Sequence, residues 1–243
     1  MGKEKQQETL NLDIKNQHDF ILVGCDTDSI LFCKKDQKQF TKEEQDNLLD
    51  EINSILPELI KMDHDGYFKR TIILKTKNYI LQPEDKKKKL IKKGSGLKDA
   101  KKEAGLKEFQ AEVIELLLKK RKDRIFDLYN KYCLEVIQDN IDISRWSTRK
   151  NITSNVIHGT RKNETKVIKA LEGTEYQEGD KFLMYYDTDN NLKLVRHYNN
   201  DHSREKLLEK IHSSLEIFGN VIDCDLIPCY SNIGNRDLLE KLK

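Results

Sequence analysis

The stretch VGCDTDSILF, residues 23–32, sets two acids one residue apart inside an otherwise apolar run that begins at Phe20. Aliphatic and β-branched residues on both sides predict two short strands, 20–23 and 30–33, joined by a turn through 24–29. In a strand, residues i and i+2 leave the same face, so Asp26 and Asp28 would hold their carboxylates close together. Burying both without partners would cost several kcal/mol or force one to take a proton. A divalent cation removes that conflict. Mg²⁺ takes oxygen ligands and keeps water and substrate phosphate, so the pair reads as half of a phosphate-handling metal site. The apolar flanks argue against an ordinary solvent-facing turn, and Leu31 stands where an EF-hand loop needs glycine.

The chain repeats Asp-Thr-Asp at 187–189, followed by Asn190 and Asn191. Asp and Asn tolerate tight hairpin geometry, so this copy predicts a polar hairpin tip with no chemical role.

Outward from the first motif, residues 1–17 are polar and read as a tail. Thr41 with Glu44 forms a capping box, and Leu48, Leu49, Ile52, Ile55, Leu56, Leu59 and Ile60 predict an amphipathic helix that continues past Pro57. The apolar run TIILKTKNYIL (71–81) predicts a strand or strand pair with Lys75 and Lys77 on its polar face. KKGSGLKDAKKEAG (92–105) interleaves glycine and lysine and suggests a domain junction, so the expected division is 18–93 and 94–243. Beyond it, apolar residues at spacings of three and four from Phe109 to Ile137 predict a long helix or a helix pair. A β unit at 181–198 and a helix at 204–218 follow.

Composition narrows the classes. The 243 residues, 37% hydrophobic, suffice for one large domain or two small ones with real cores. No apolar stretch reaches the roughly 20 residues that span a bilayer, and MGKEKQQETL lacks a secretory signal, so a soluble cytoplasmic protein with no membrane partner is expected. The five cysteines lack metal-type pairing and read as reduced thiols. Net charge is only +2, yet residues 69–107 hold fourteen Lys and Arg against four Asp and Glu. These bases are interleaved with Tyr79, Ile80 and Leu81 rather than massed in a tail, which suits a folded surface that follows a phosphate backbone.

GCDTDS resembles the motif C signature of family B DNA polymerases, where Asp-Thr-Asp-Ser stands at the tip of a palm hairpin. Some fifty residues on, LKTKNYIL resembles that family's Lys-x-Tyr motif, matched at Lys77 and Tyr79. GLKDAKKE (96–103) resembles the segment leading into the thumb, matched at Gly96, Leu97, Lys101, Lys102 and Glu103. The three occur in the family's order over about 80 residues. Cys25 departs from the common Gly, and Lys101 and Lys102 replace an Arg pair. A family B enzyme also carries a motif A aspartate in a string like Asp-x-x-Ser-Leu-Tyr-Pro-Ser, a fingers helix and a proofreading exonuclease; none of these strings occurs in the 243 residues.

The resemblance implies an α+β fold: the C-terminal part of a polymerase palm, antiparallel strands with a helix, then a mainly helical thumb with a small β unit. It further implies the separate C-terminal subunit of a split, viral polymerase, inactive alone, whose partner subunit supplies motif A, fingers and exonuclease. Asp26 and Asp28 would be catalytic and metal-binding, with Asp26 the principal ligand of two Mg²⁺ ions shared with the partner and Asp28 tuning the site. Thr27 and Ser29 would support the dNTP site. Lys77 and Tyr79 would hold the primer terminus, and Lys75, Lys86, Lys87, Lys88, Lys89, Lys92, Lys93, Lys101 and Lys102 would grip primer–template DNA through its backbone. The C-terminal NRDLLEKLK is a candidate for docking on a sliding clamp. Two other classes compete: a non-catalytic DNA-binding clamp whose acids are structural, and a different Asp-x-Asp metal enzyme, a phosphatase or glycosyltransferase, for which the required βα alternation is missing.

Overall fold

The computed structural model describes residues 20–26, 29–98, 102–159, 161–223 and 227–230, with the side chain of Asp26 not described. Compact packing divides the chain into two units. The first takes residues up to Ile73 together with Leu81–Ile91, and the second takes Leu74–Ile80 and everything from Lys92 onward. The boundary therefore leaves the hairpin tip 74–80 with the C-terminal unit, where the sequence placed it with the N-terminal one.

In the first unit, strands β1 (Phe20–Asp26) and β2 (Ser29–Lys34) pair antiparallel as a two-stranded sheet. Helix α1 (Lys42–Ile55) covers one face, with Phe20, Ile30, Phe32 and Phe40 packed against Leu48 and Ile52. The capping box forms as its residues predict: the Glu44 backbone N–H donates to Thr41 Oγ1 at 3.2 Å, and the Thr41 N–H donates to Glu44 Oε2 at 2.7 Å. The helix does not run past Pro57. It ends at Ile55, because a residue ahead of proline is pushed out of the helical region and Leu56 is extended at ψ 152°. Leu59, assigned to the apolar face of the helix from its spacing, is consequently 98% exposed.

Strands β3 (Phe68–Lys75), β4 (Asn78–Pro83) and β5 (Ile91–Lys93) make a three-stranded sheet in that order. The run 71–81 is thus a strand pair, but Lys77 is not on a strand face. It sits in the turn at φ +59°, and the period-two relation to Lys75 fails there.

The second unit is built on helices. After the short α2 (Ser95–Lys98), α3 (Ala104–Leu118) and α4 (Ile125–Ile137) form the expected helix pair, and α7 (Arg204–Glu216) packs on both. Phe109, Tyr129, Tyr132, Trp146, Ile211 and Phe218 are buried between them. At Gly105 an added Cβ would come within 3.0–3.2 Å of the Trp146 ring, so the first turn of α3 seats on the indole only because it carries no side chain. A third sheet, the antiparallel β6 (Thr148–Asn151), β7 (Lys181–Tyr186) and β8 (Leu192–Leu194), joins α5 (Ser154–His158) and α6 (Lys162–Ala170) around Ile152, Val167, Leu171, Met184 and Leu194. The mixed α+β fold with antiparallel sheets is the class expected from the sequence. No helix among the described residues is long and apolar enough to cross a membrane.

Candidate metal hairpin and nucleic-acid interface

The register of the first hairpin runs from Phe20 opposite Lys34 to Asp26 opposite Ser29, with an irregularity between Leu22 and Gly24. The pairing continues beyond the four-residue strands read from the sequence and leaves a loop of two residues. Those two, Thr27 and Asp28, lie outside the described residues, so the proposed roles of Asp28 and Thr27 rest on sequence. The backbone of Asp26 ends β1, Ser29 begins β2, and Ser29 is exposed. The apolar flank that argued against a solvent-facing turn is itself partly bare, since Ile21, Leu22 and Cys25 of β1 are exposed. Among the described residues no three His, Cys, Asp or Glu side chains gather as a metal site. What the chain offers Mg²⁺ here is two carboxylates and two hydroxyls at 26–29, hard oxygen donors in a number that suits an ion keeping waters and phosphate oxygens as its other ligands.

The basic residues fall into three local settings. At the tip of the β3–β4 hairpin, Lys75 and Lys77 are exposed and Tyr79 is half-buried. Lys77 occupies a left-handed backbone position, one that glycine takes without strain and a side-chain residue takes at a cost of about 1–2 kcal/mol. Asn78 beside it donates to the Thr76 carbonyl at 3.0 Å, and an added Cβ on Gly94 would collide with the Asn78 side chain. Gly94, at φ +108°, therefore lets the end of β5 close on the hairpin tip. From the C-terminal side, Asn220 donates to the Leu74 carbonyl, which ties the tip into the second unit.

Lys86 to Lys89 form the second setting. They lie in the exposed loop between β4 and β5, where Asp85 accepts the Lys87 backbone N–H at 2.9 Å. Among the described residues, none of Lys75, Lys77, Lys86 to Lys89, Lys92 and Lys93 is paired with an acid, whereas Lys34, Lys42, Lys119, Lys193 and Lys210 all are. These unpaired charges lie in the segment that the sequence marks as a phosphate-following surface.

The segment 96–103 is the third. Lys101 lies outside the described residues. Lys102, expected to grip DNA, is half-buried and donates to the Gly96 carbonyl at 3.1 Å, so part of its bonding capacity goes to shaping its own loop. The acid that closes this motif is the residue whose role the sequence did not reveal. Glu103 is 5% exposed at the head of α3, where its Oε1 accepts from Thr148 Oγ1 at 2.6 Å and Lys210 Nζ at 2.5 Å. One carboxylate thus joins α3, β6 and α7. Burial alone would raise its pKa, but the charge and hydrogen bond of Lys210 outweigh that and hold it below the usual carboxylate value.

The second Asp-Thr-Asp does sit in a turn, between β7 and β8. Asp187 is not a solvent-facing tip residue, however. It is 2% exposed and accepts the N–H groups of Asp189 at 3.0 Å and Asn191 at 2.7 Å, with Lys193 Nζ at 3.1 Å from its other oxygen. Burial raises its pKa, and the Asn191 N–H and Lys193 more than offset this, so the carboxyl stays ionised below its ordinary range. Lys193 also meets Asp201, which accepts from the Tyr185 hydroxyl at 2.7 Å. A lysine six residues along the hairpin from Asp187 was the available signal for this pairing.

No family model matches the sequence, and no curated protein matches it. Among solved structures, the family B DNA polymerase from the hyperthermophilic archaeon Pyrobaculum calidifontis aligns with 90% of this chain at a TM-score of 0.66 and 13% identity. The fold is shared with a family B DNA polymerase. This chain spans 29% of that one.

Proposed function

We propose that this chain is the C-terminal palm and thumb part of a template-dependent family B DNA polymerase, working as a subunit with a second polypeptide that supplies motif A, the fingers and the exonuclease. The observation that carries the reading is a coincidence of two independent facts. Asp26 and Ser29, the first and last residues of the Asp-Thr-Asp-Ser string, close the register of an antiparallel strand pair, and the chain containing them shares its fold with a family B polymerase over 90% of its length.

In this reading residues 18–93 form the end of the palm and residues 94–243 the thumb. Asp26, with Asp28 beside it, provides the oxygen ligands for two Mg²⁺ ions completed by an aspartate of the partner. Mg²⁺ bound there supplies the lowered pKa of the primer 3′ hydroxyl and the stabilisation of the departing pyrophosphate. Thr27 and Ser29 flank the nucleotide. Lys77 and Tyr79 hold the primer end in register, where a misplacement of about 1 Å costs on the order of a hundredfold in rate. The lysines at 75, 86–89, 92–93 and 101–102 bind the duplex backbone without reading sequence. That Lys77 keeps a strained left-handed position, where glycine would fit without cost, supports a role for its side chain.

Primer extension by the purified chain, alone and with the partner polypeptide, tests this. The expected result is no extension alone at any Mg²⁺ concentration and synthesis on mixing. Robust extension by the chain alone would contradict the split arrangement.

A further inference from the structure

Leu59, left outside α1 by Pro57, sits in a turn that is tied down at both ends. Leu56 before it and Met62 after it pack on the Leu48 and Ile52 cluster of the first unit. The Asn53 side chain clamps the far end, accepting the Met62 N–H at 2.7 Å and donating to the Met62 carbonyl at 3.0 Å. Between these anchors the Ile60 N–H donates to the Pro57 carbonyl at 2.8 Å and closes a turn through Glu58 and Leu59. Leu59 is almost wholly exposed there, and Ile60 and Ile55, the last residue of α1, are exposed as well. Nine large hydrophobic side chains are exposed among the described residues, and three of them fall within the six positions 55–60. Such a loop is ordered before any partner arrives, so covering its aliphatic side chains would gain apolar burial at little entropic cost. Its surroundings are acidic: residues 42–65 hold eight Asp and Glu against two Lys. Asp50, Glu58, Asp63 and Asp65 are exposed, and among the described residues none of the four is paired with a base.

We infer that the turn at 55–60 is a docking anchor that inserts Leu59 into an apolar socket rimmed by Lys and Arg on the polypeptide that completes the polymerase. The inference rests on the function proposed above, in which that polypeptide supplies most of the fold, since this chain spans 29% of its polymerase neighbour. Two polypeptides that work as one enzyme need a joint, and stable joints are built on a few buried apolar anchors inside a polar rim. Charge decides between this occupant and two others. The acids around Leu59 repel the phosphates of a duplex, whereas the bases suited to DNA begin only at Lys69. Face-to-face contact with a second copy of this chain would set the acids of one copy against those of the other. A basic rim on a different protein satisfies both the charge and the exposed aliphatic side chains.

The test uses the full chain and the polypeptide from the same genome that carries the Asp-x-x-Ser-Leu-Tyr-Pro-Ser string. Association is measured by titration calorimetry over a salt series, and primer extension on the same mixtures. Leu59→Ser is expected to weaken association at least tenfold, to leave the urea midpoint of the free chain unchanged by circular dichroism, and to regain the wild-type extension rate once the other polypeptide is saturating. Glu58→Lys combined with Asp63→Lys should weaken association most at low salt, because the lost charge attraction is screened as salt rises. Unchanged affinity of that double variant would overturn the basic rim. If mixing restores extension while Leu59→Ser binds as tightly as wild type, the joint is elsewhere and this inference fails with the function intact. A lowered midpoint for free Leu59→Ser would mean that the chain covers this turn itself, and self-association lost in Leu59→Ser would mean that a second copy does; either overturns it. Neither binding nor extension by the wild-type pair would remove the polymerase reading, and this inference with it.

Discussion

Glu103→Gln isolates the charge of the one carboxylate that joins three elements of the second unit. Glutamine keeps an acceptor for the Thr148 hydroxyl and loses the ion pair to Lys210, whose side chain is 31% exposed and whose Nζ lies 2.5 Å from the carboxylate. A hydrogen bond to a charged group contributes about 1.5–3 kcal/mol, and the partial exposure of Lys210 favours the lower half of that range. With a urea dependence of roughly 2 kcal/mol per molar, a loss near 2 kcal/mol lowers the midpoint by about 1 M. Trp146 is the only tryptophan and is 1% exposed within the second unit, so its fluorescence reports the unit that Glu103 holds together. The pH dependence has a definite sign. The Glu103 pKa is depressed in the folded chain relative to its usual 4.5, so its contribution is complete above about that pH and disappears as pH falls through the folded value. The gap between wild type and variant should therefore be widest near neutrality and close in acid. In a double-mutant cycle with Lys210→Met, a coupling of about 1 kcal/mol or more is expected. An unchanged midpoint at pH 7, a gap that widens in acid or a coupling near zero would refute the reasoning.

Lys77→Gly should raise stability by about 0.5–1 kcal/mol, because glycine relieves the left-handed position, while weakening primer–template binding; equal DNA affinity would leave the strain without a function. Replacing Lys86 to Lys89 with Ala should flatten the salt dependence of duplex binding, each lost phosphate contact reducing the log–log slope by about 0.9; an unchanged slope would show that the loop is merely solvated. Asp187→Asn should cost about 1–2 kcal/mol in urea unfolding followed at Trp146, since the buried carboxylate loses its charge against Lys193, and a neutral substitution would mean that the turn alone matters.

Local chemistry made much of the fold legible. The Thr41 and Glu44 box, the helix pair and the β unit expected at 181–198 announce themselves through capping residues and periodicity, and all three form, although the last strand ends at Leu194 and a short helical turn follows it. What sequence spacing could not register was competition. The apolar period from Leu48 to Ile60 continues through Pro57, but the backbone restriction ahead of proline ends the helix, and Leu59 is left in solvent. Lys75 and Lys77 share a strand period only until a turn falls between them. The short strand β6 and helices α5 and α6 went unread because TRKN and SNVIH are too short to display a period; their place is fixed by packing around Met184 and Leu194. Buried acids were the hardest to foresee. Asp187 and Glu103 look like surface residues until Lys193 and Lys210, remote or six residues away, arrive to neutralise them. At the candidate site the sequence supplied the acids and the lysines, while the structure added the hairpin register and, among the described residues, the lack of an acid paired with Lys75, Lys77, Lys86 to Lys89, Lys92 and Lys93.

The most direct measurement of the central claim is primer extension by the reconstituted complex carrying Asp26→Asn, with DNA binding measured on the same preparation. Asparagine keeps the shape and removes one charge from the proposed metal site. Synthesis should fall on the order of a thousandfold or more, about 4 kcal/mol of barrier, while primed DNA binds as before. Synthesis at the wild-type rate would contradict the motif C assignment and the polymerase reading built on it.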